Sequence, residues 1–303
     1  MKYQQLRIFL AVAEQRSIRA AARTLSLTQP AVTKTIRELE SEFGLALVVR
    51  DVSGVTLTEY GVTFREHAQL LVNEMRRTRD AIEAMRYGTG GTVQIAVSPT
   101  VAVALVPDAV QRFRAALPGA RVQFSEGGLT QSLSGLSDGS IDFMVAHGMP
   151  GAVPDYFRQT PLFEVAQVIG VRSSHPLAGA RTLAELQDAA WLVPSYGPRD
   201  LDLLHAIFTP YGLAVPASVM RCQSFLVAAH LLTSMDMLSV FTAPLVELEL
   251  KPRGVVSLQL TDTLPRTMIT IVTRPDERLT PTAQRMADCF GEAAQHYKDG
   301  TQA

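Results

Sequence analysis

The chain has 303 residues, 47% of them hydrophobic, and a formal net charge of -1. That is length for two or three domains, each with its own core, and the overall charge does not by itself call for a polyanionic partner. The two cysteines, Cys222 and Cys289, show neither metal-ligand spacing nor a disulfide framework, so a reduced, cytoplasmic protein is expected.

Charge is uneven along the chain. Residues 1–90 hold 13 Lys and Arg against 10 Asp and Glu, whereas residues 91–303 hold 15 against 19. A mildly basic beginning on an acidic remainder suggests two tasks in one chain. The apolar run Ile8 to Ala13 is short and closed by Arg7 and Glu14, which predicts a buried helix face rather than a signal peptide. No apolar run reaches membrane-spanning length.

In chain order, Leu6, Phe9, Leu10 and Ala13 mark one face of a helix over 3–16. Ser17 fits an N-cap, and Ile18 to Leu25 makes a second, short helix. Thr28 is the next candidate cap. Gln29 and Pro30 fall in the first turn of the third helix, where proline is tolerated because those N–H groups have no intrahelical partner. Ala31, Val32, Ile36, Leu39 and Phe43 are expected to carry its buried face, and Gly44 to stop it. Leu47 to Arg50 and Val55 to Leu57, around a turn at Asp51 to Gly54, read as a small hairpin, a wing.

Thr58, Glu59 and Gly61 open a long helix to about Arg86. Phe64, Ala68, Leu71, Met75, Ile82 and Met85, with Thr78 filling the gap, are spaced alternately four and three. That is a heptad seam awaiting a partner helix, while the other faces are polar, Arg76, Arg77 and Arg79 among them. Gly88 to Thr92 is a hinge by composition. It is not a dinucleotide fingerprint, which needs a strand before it and a helix after it.

From Val93 onward short apolar strands alternate with amphipathic helices. Strands are predicted over 93–97, 121–124, 142–146, 165–171, 191–193, 218–221, 237–240, 255–260 and 267–273. Helices are predicted over 106–117, 130–136, 183–187, 201–211 and 225–233, and from Pro281 to about Tyr297. The alternation predicts an α/β architecture with mostly parallel sheets, and its length suits two lobes better than one.

Residues 17–37 have the spacing of a helix-turn-helix, whose second helix enters the DNA major groove. With the apolar face inward, Gln29, Thr33, Lys34 and Arg37 lie outward. Gln and Thr can bond base edges, while Lys and Arg can meet phosphates or guanine. A merely solvated polar face is the plainer alternative.

The stretch "SIRAAARTLSLTQPAVTKTIRELESEFGLALVVRDVSGVTLTEYG" resembles the N-terminal domain of LysR-type transcriptional regulators. Ser17, Ala21-Ala22, Leu25, Thr28-Gln29-Pro30-Ala31-Val32-Thr33, Ile36, Leu39-Glu40, Gly44, Leu47 to Arg50 and Leu57-Thr58-x-x-Gly61 follow that family's pattern in order. "LSDGSIDFMVA" at 136–146 matches a later segment, so the resemblance covers the whole chain. It implies a winged helix-turn-helix over 1–58, a linker and dimerisation helix over 59–87, a hinge over 88–92 and an effector-binding domain over 93–303. The last resembles periplasmic binding proteins, with lobe I formed by 93–162 and 266–303 and lobe II by 163–265.

The implied DNA-binding set is Ser17, Thr28, Gln29, Pro30, Thr33, Lys34, Arg37 and Arg50. Arg50 is the one basic candidate on the wing, since Asp51 to Gly54 carry no basic residue. Thr33 and Lys34 stand where the family often has Ser and Arg, and Lys lacks the bidentate fork of Arg. The segment Val227 to Leu232 departs from the family's usual glycine-containing run. The implied effector site is the cleft between lobes. It draws on Ser98, Pro99, Thr100 and Val101 in the loop after the first strand, where helix-start N–H groups favour an anion. Thr130, His147, Ser195, Tyr196, Ser224, Phe225 and Phe241 are candidates by position. A small organic acid is the expected effector.

Catalytic readings do not hold. Gly135 to Gly139 matches G-x-S-x-G, but a helix precedes Ser137 and a strand follows it, the reverse of a nucleophile elbow. The six histidines form no metal-binding pair. The sequence thus predicts a cytoplasmic DNA-binding regulator without a cofactor. It takes double-stranded DNA, a small effector and its own copies as partners, in a dimer and a tetramer, and no membrane. The rival is an oligomeric small-molecule binding protein with no DNA role.

Overall fold

The structure is a computed structural model that describes residues 1–302 except 52–53, 88–89, 128, 149–150, 195–200 and 276–278. The chain divides into two units, residues 1–86 with 137–140, and residues 87–136 with 141–303.

In the first unit, α1 (Tyr3–Gln15), α2 (Ile18–Thr24) and α3 (Gln29–Phe43) precede a hairpin of β1 (Val48–Asp51) and β2 (Gly54–Leu57) and the long α4 (Glu59–Tyr87). The caps are those that the local sequence predicts. Ser17 Oγ accepts from the Ala20 N–H at 3.2 Å, Thr28 Oγ1 from the Ala31 N–H at 3.4 Å and Thr58 Oγ1 from the Gly61 N–H at 3.0 Å. Gly44 ends α3 at φ 69°, the left-handed conformation that suits glycine.

The core of this unit gathers Phe9, Val12, Ala21, Val32, Ile36, Leu39, Leu47 and Val55. Two expectations for α3 are corrected. Ala31 is exposed, because the inward face turns on Val32, Ile36 and Leu39. Phe43 is also half out, and its ring meets Phe64 edge-on at 5.3 Å. The polar side of α4 is corrected too, since Arg77 is buried. With Asn73 it grips a turn of the same unit: Asn73 Nδ2 donates to Asp138 O and Arg77 Nη2 to Gly139 O, at 2.7 and 2.8 Å.

Two contacts fix the wing. Glu40 Oε1 accepts from the Leu47 and Val48 N–H groups at 2.9 and 3.2 Å. Gly61 lies so close to the chain before β1 that an added Cβ would stand 2.0 Å from Leu47 O, which gives the glycine of Leu-Thr-x-x-Gly a steric reason.

The second unit is built on a mixed sheet. In chain order come β3 (Thr92–Val97), α5 (Pro99–Ala104), α6 (Val106–Ala116), β4 (Arg121–Glu126), α7 (Leu129–Ser137), β5 (Phe143–Gly148) and β6 (Arg158–Arg172). Next are β7 (Ala190–Pro194), α8 (Asp202–Phe208), β8 (Val219–Cys222), α9 (Phe225–Ser234), β9 (Met237–Thr242) and α10 (Ala243–Leu245). The last elements are β10 (Val255–Ser257), β11 (Arg266–Thr273) and α11 (Pro281–Gln302). The sheet order is β4-β3-β5-β11-β6-β9-β7-β8, with β10 also on β6.

The expectation of mostly parallel pairing is corrected. β3 pairs in parallel with β4 and β5, and β7 with β8 and β9, but β11 and the 15-residue β6 run antiparallel between those two sets. Helices can return the chain for parallel strands only within each set, and β6 carries it from one set to the other. The predicted helix at 183–187 is a 3₁₀ turn over Leu183–Leu186. α5 occupies what the sequence suggests is loop.

One core lies on the β3–β5 side with α6 and α11 and includes Val101, Phe113, Phe143, Ile269 and Phe290. Another, around Trp191, Phe208 and Leu238, serves the β7–β9 side. Among the described residues no helix is long and apolar enough to cross a membrane.

Candidate functional site

Each unit carries one candidate site. In the first, α3 presents a polar face while Val32, Ile36 and Leu39 anchor it. Thr28, Gln29, Pro30, Lys34 and Arg37 are exposed and Thr33 is half-buried. Pro30, Thr33, Lys34 and Arg37 border a shallow depression of about 630 Å³ along the helix. Lys34 Nζ stands 3.8 Å from a Glu38 carboxylate oxygen with its side chain 78% exposed, an ion pair too solvated to hold the lysine. Farther along α3, Glu42 meets the N-terminal ammonium at 2.9 Å.

Arg50 is exposed on β1, directly across from Val55. The Ser17 hydroxyl caps α2 and is partly buried. Arg19 and Arg23, exposed one turn apart on α2, were not singled out in the sequence. Their signal is a spacing of four, opposite the buried Ile18, Ala21 and Ala22.

Along α4 the seam splits. Phe64 packs edge-on against Phe9 at 4.8 Å, and Ala68 is fully buried. Leu71, Met75, Ile82 and Met85 are 42%, 48%, 60% and 83% exposed. An apolar row this open on a single chain has the character of an unpaired coiled-coil face.

In the second unit the first-strand junction forms a polar cluster. Ser98 is buried, and its Oγ lies 3.1 Å from His147 Nδ1 at the end of β5. Burial lowers the His147 pKa to about 4, so the imidazole is neutral at ordinary pH. Two residues on, Thr100 Oγ1 lies 2.8 Å from Thr242 Oγ1, both side chains being buried.

Thr242 is the residue that sequence reasoning missed. Its signal was present: Ser98-Pro99 and Thr242-Ala243-Pro244 are the same device, a hydroxyl residue ending a strand and a proline in the helix turn that follows.

Not all the candidates converge. Val101, on α5, is fully buried in the core of this side. Phe241 is likewise buried, in the space that Gly170 leaves beside it. Pro99 begins α5 half-buried, and Phe225 is half-buried on α9. Ser224 is exposed and caps α9, accepting from the Val227 N–H at 3.3 Å. Ser195, Tyr196 and the Thr130 side chain lie outside the described residues. Among the described residues no group of three or more His, Cys, Asp or Glu is placed to hold a metal.

Comparison with known proteins matches residues 3–62 to the model of the bacterial regulatory helix-turn-helix protein, lysR family, and residues 86–295 to that of the LysR substrate binding domain. The chain is 30% identical over 291 residues to the SDS degradation transcriptional activation protein of Pseudomonas sp. (strain ATCC 19151), covering 93% of both chains. Its fold is similar to the crystal structure of CbnR, a LysR family transcriptional regulator, with a TM-score of 0.72, 21% identity, and coverage of 97% of this chain and 99% of that one. Full-length CbnR complexed with its target DNA matches at a TM-score of 0.70 with 22% identity, over 97% of this chain and all (100%) of that one.

Proposed function

The chain belongs to the LysR family of transcriptional regulators, and from that premise we propose how its parts divide the work of a DNA-binding regulator with an effector-binding domain. It is a regulator and not an enzyme. We assign residues 1–58 to DNA reading, 59–87 to pairing with a second copy, 88–92 to a hinge and 93–303 to the effector.

The observation that carries the DNA half is the start of α3, capped by Thr28 and polar outward, with Val32, Ile36 and Leu39 behind it. Gln29 and Thr33 reach base edges in the major groove, and Lys34 and Arg37 meet phosphate or guanine. Pro30 shapes the first turn. Glu38 and Glu42 toward the far end repel phosphates, so the helix enters N-terminus first. Ser17, through its cap, orients α2. Arg19, Arg23 and Arg50 contact the backbone. That CbnR has been seen with its target DNA supports this reading.

Effector binding falls to the cluster of Ser98, Thr100 and His147, with Pro99 shaping the helix start and Thr130, Ser195, Tyr196, Ser224 and Phe225 as further candidates around it. We infer a small organic acid, taken by hydroxyl and helix-start N–H donors rather than by a fixed cation. Copies pair through Leu71, Met75, Ile82 and Met85 into a dimer that assembles further into a tetramer. A protein that works on DNA belongs in the cytoplasm, with no membrane partner. The rival reading, an oligomeric binding protein without a DNA role, leaves the matched helix-turn-helix segment 3–62 without a task.

Gel-shift titration against the DNA upstream of the neighbouring operon tests the DNA half. Gln29→Ala and Lys34→Ala are each expected to weaken binding about tenfold. Lys34→Ala should also reduce the slope of log affinity against log salt by about one. Unchanged binding in both overturns the assignment of α3.

A further inference from the structure

We propose that Gln167 selects a hydroxyl group on the effector, so that the ligand is a small hydroxylated organic acid. The inference rests on the effector reading above. Gln167 sits on β6 with 9% of its surface exposed, and its Oε1 is shut from solvent and accepts no hydrogen bond among the described residues. Nearly all buried polar groups in folded proteins have a partner, and leaving one bare costs about 1–3 kcal/mol. A methionine would fill the same space without that cost, so the amide is kept for something the chain alone does not supply.

The sheet register says where the amide lies. Gln167 is directly opposite Thr242 in the β6–β9 pair, so the two side chains leave the same face of the sheet. Thr242 reaches Thr100 from that face. Along β6, Phe163, Val165 and Gln167 alternate onto one face. Phe163 is opposite Ile269, and Ile269 is opposite His147. The His147–Ser98 pair, the Thr100–Thr242 pair and the Gln167 amide therefore stand on one side of the sheet. Across the sheet the imidazole comes from β5, the uncommitted amide from β6 and Thr242 from β9 beside it.

The chemistry narrows the ligand. A hydroxyl donates and accepts, so it satisfies the amide whichever way its oxygen and nitrogen are turned. A bare C–H at that place leaves the amide as unpaired as it is in the free protein. Discrimination of this kind, by a buried polar group that only the right ligand satisfies, is far sharper than discrimination by apolar fit.

The test uses the full-length chain, with binding read by thermal unfolding and calorimetry. The probes are benzoate and its monohydroxy derivatives, and butyrate and its monohydroxy derivatives. At least one hydroxy acid should bind wild type about tenfold tighter than its parent. Gln167→Met should bring that acid down to the parent's affinity, while its ligand-free melting point stays level or rises. The inference is overturned by a wild type without preference, by a Gln167→Met chain that keeps the preference, or by one whose ligand-free form melts lower, which would make the amide structural. Ser98→Ala separates this from the underlying reading. If it leaves all acid binding intact, the effector site itself is misplaced. If it weakens every acid while Gln167→Met changes nothing, only the present inference falls. A wild type that none of these acids stabilises counts against both.

Discussion

Thr100 and Thr242 join the start of α5 to the start of α10 through a buried hydroxyl–hydroxyl hydrogen bond of 2.8 Å. Thr242→Val strands the Thr100 hydroxyl, which has no exposed surface. We expect a loss of about 1–3 kcal/mol in urea unfolding. Thr100→Val with Thr242→Val removes both ends of the bond and should be more stable than Thr242→Val alone. A double variant that loses the sum of the two single effects would show that the bond is not what the site depends on.

The split seam of α4 predicts two different failures. Leu71→Glu and Met75→Glu, at exposed positions, should yield monomers in analytical sedimentation while the far-ultraviolet dichroism stays unchanged. Phe64→Glu should instead destabilise the first unit by about 3 kcal/mol or more, because its ring packs between Phe9 and Phe43. Intact oligomers for both seam variants would leave α4 without a pairing role.

His147 makes stability depend on pH in a definite direction. Its folded pKa is about 4 against an ordinary 6.5. As pH falls from 6.5 toward 4 the unfolded chain takes up a proton that the folded chain refuses, so stability falls through that window and is fully present above it. The contribution is at most about 3 kcal/mol. His147→Gln should flatten this part of the wild-type pH profile in chemical unfolding. An unaltered profile would place the acid sensitivity in other groups.

Much of the first unit is legible because its rules are local. Ser17, Thr28 and Thr58 announce their helices by capping chemistry, and Gly44 ends one by the φ it adopts. What escapes is decided at a distance. Ala31 is small enough for either side of α3. Phe43 is drawn outward by Phe64, 21 positions on in the numbering. Arg77 reads as a solvated cation on a polar helix, yet its guanidinium is claimed by the carbonyl of Gly139.

The effector unit shows the same division. Its strands and helices follow from period and punctuation, but pairing direction does not, since nothing local tells β6 and β11 to run against their neighbours. The burial of Val101 and Phe241, two candidates by position, is not legible in a string of letters. Gln167, one polar residue in an apolar strand, becomes informative only once its partner across the ladder is known.

The absence of a side chain at Gly61 lets the first turn of α4 lie against the Leu47 carbonyl, and Glu40 holds the other end of that short segment. The wing and the root of α4 are thus held against the same short segment. If two chains pair along α4 as proposed, the operator is measured by the seam. Sliding one α4 along its partner by a single heptad carries its head about 10 Å, the length of about three base pairs. On the pairing proposed above, the ruler that sets the distance between half-sites is Leu71, Met75, Ile82 and Met85, residues that need never touch DNA.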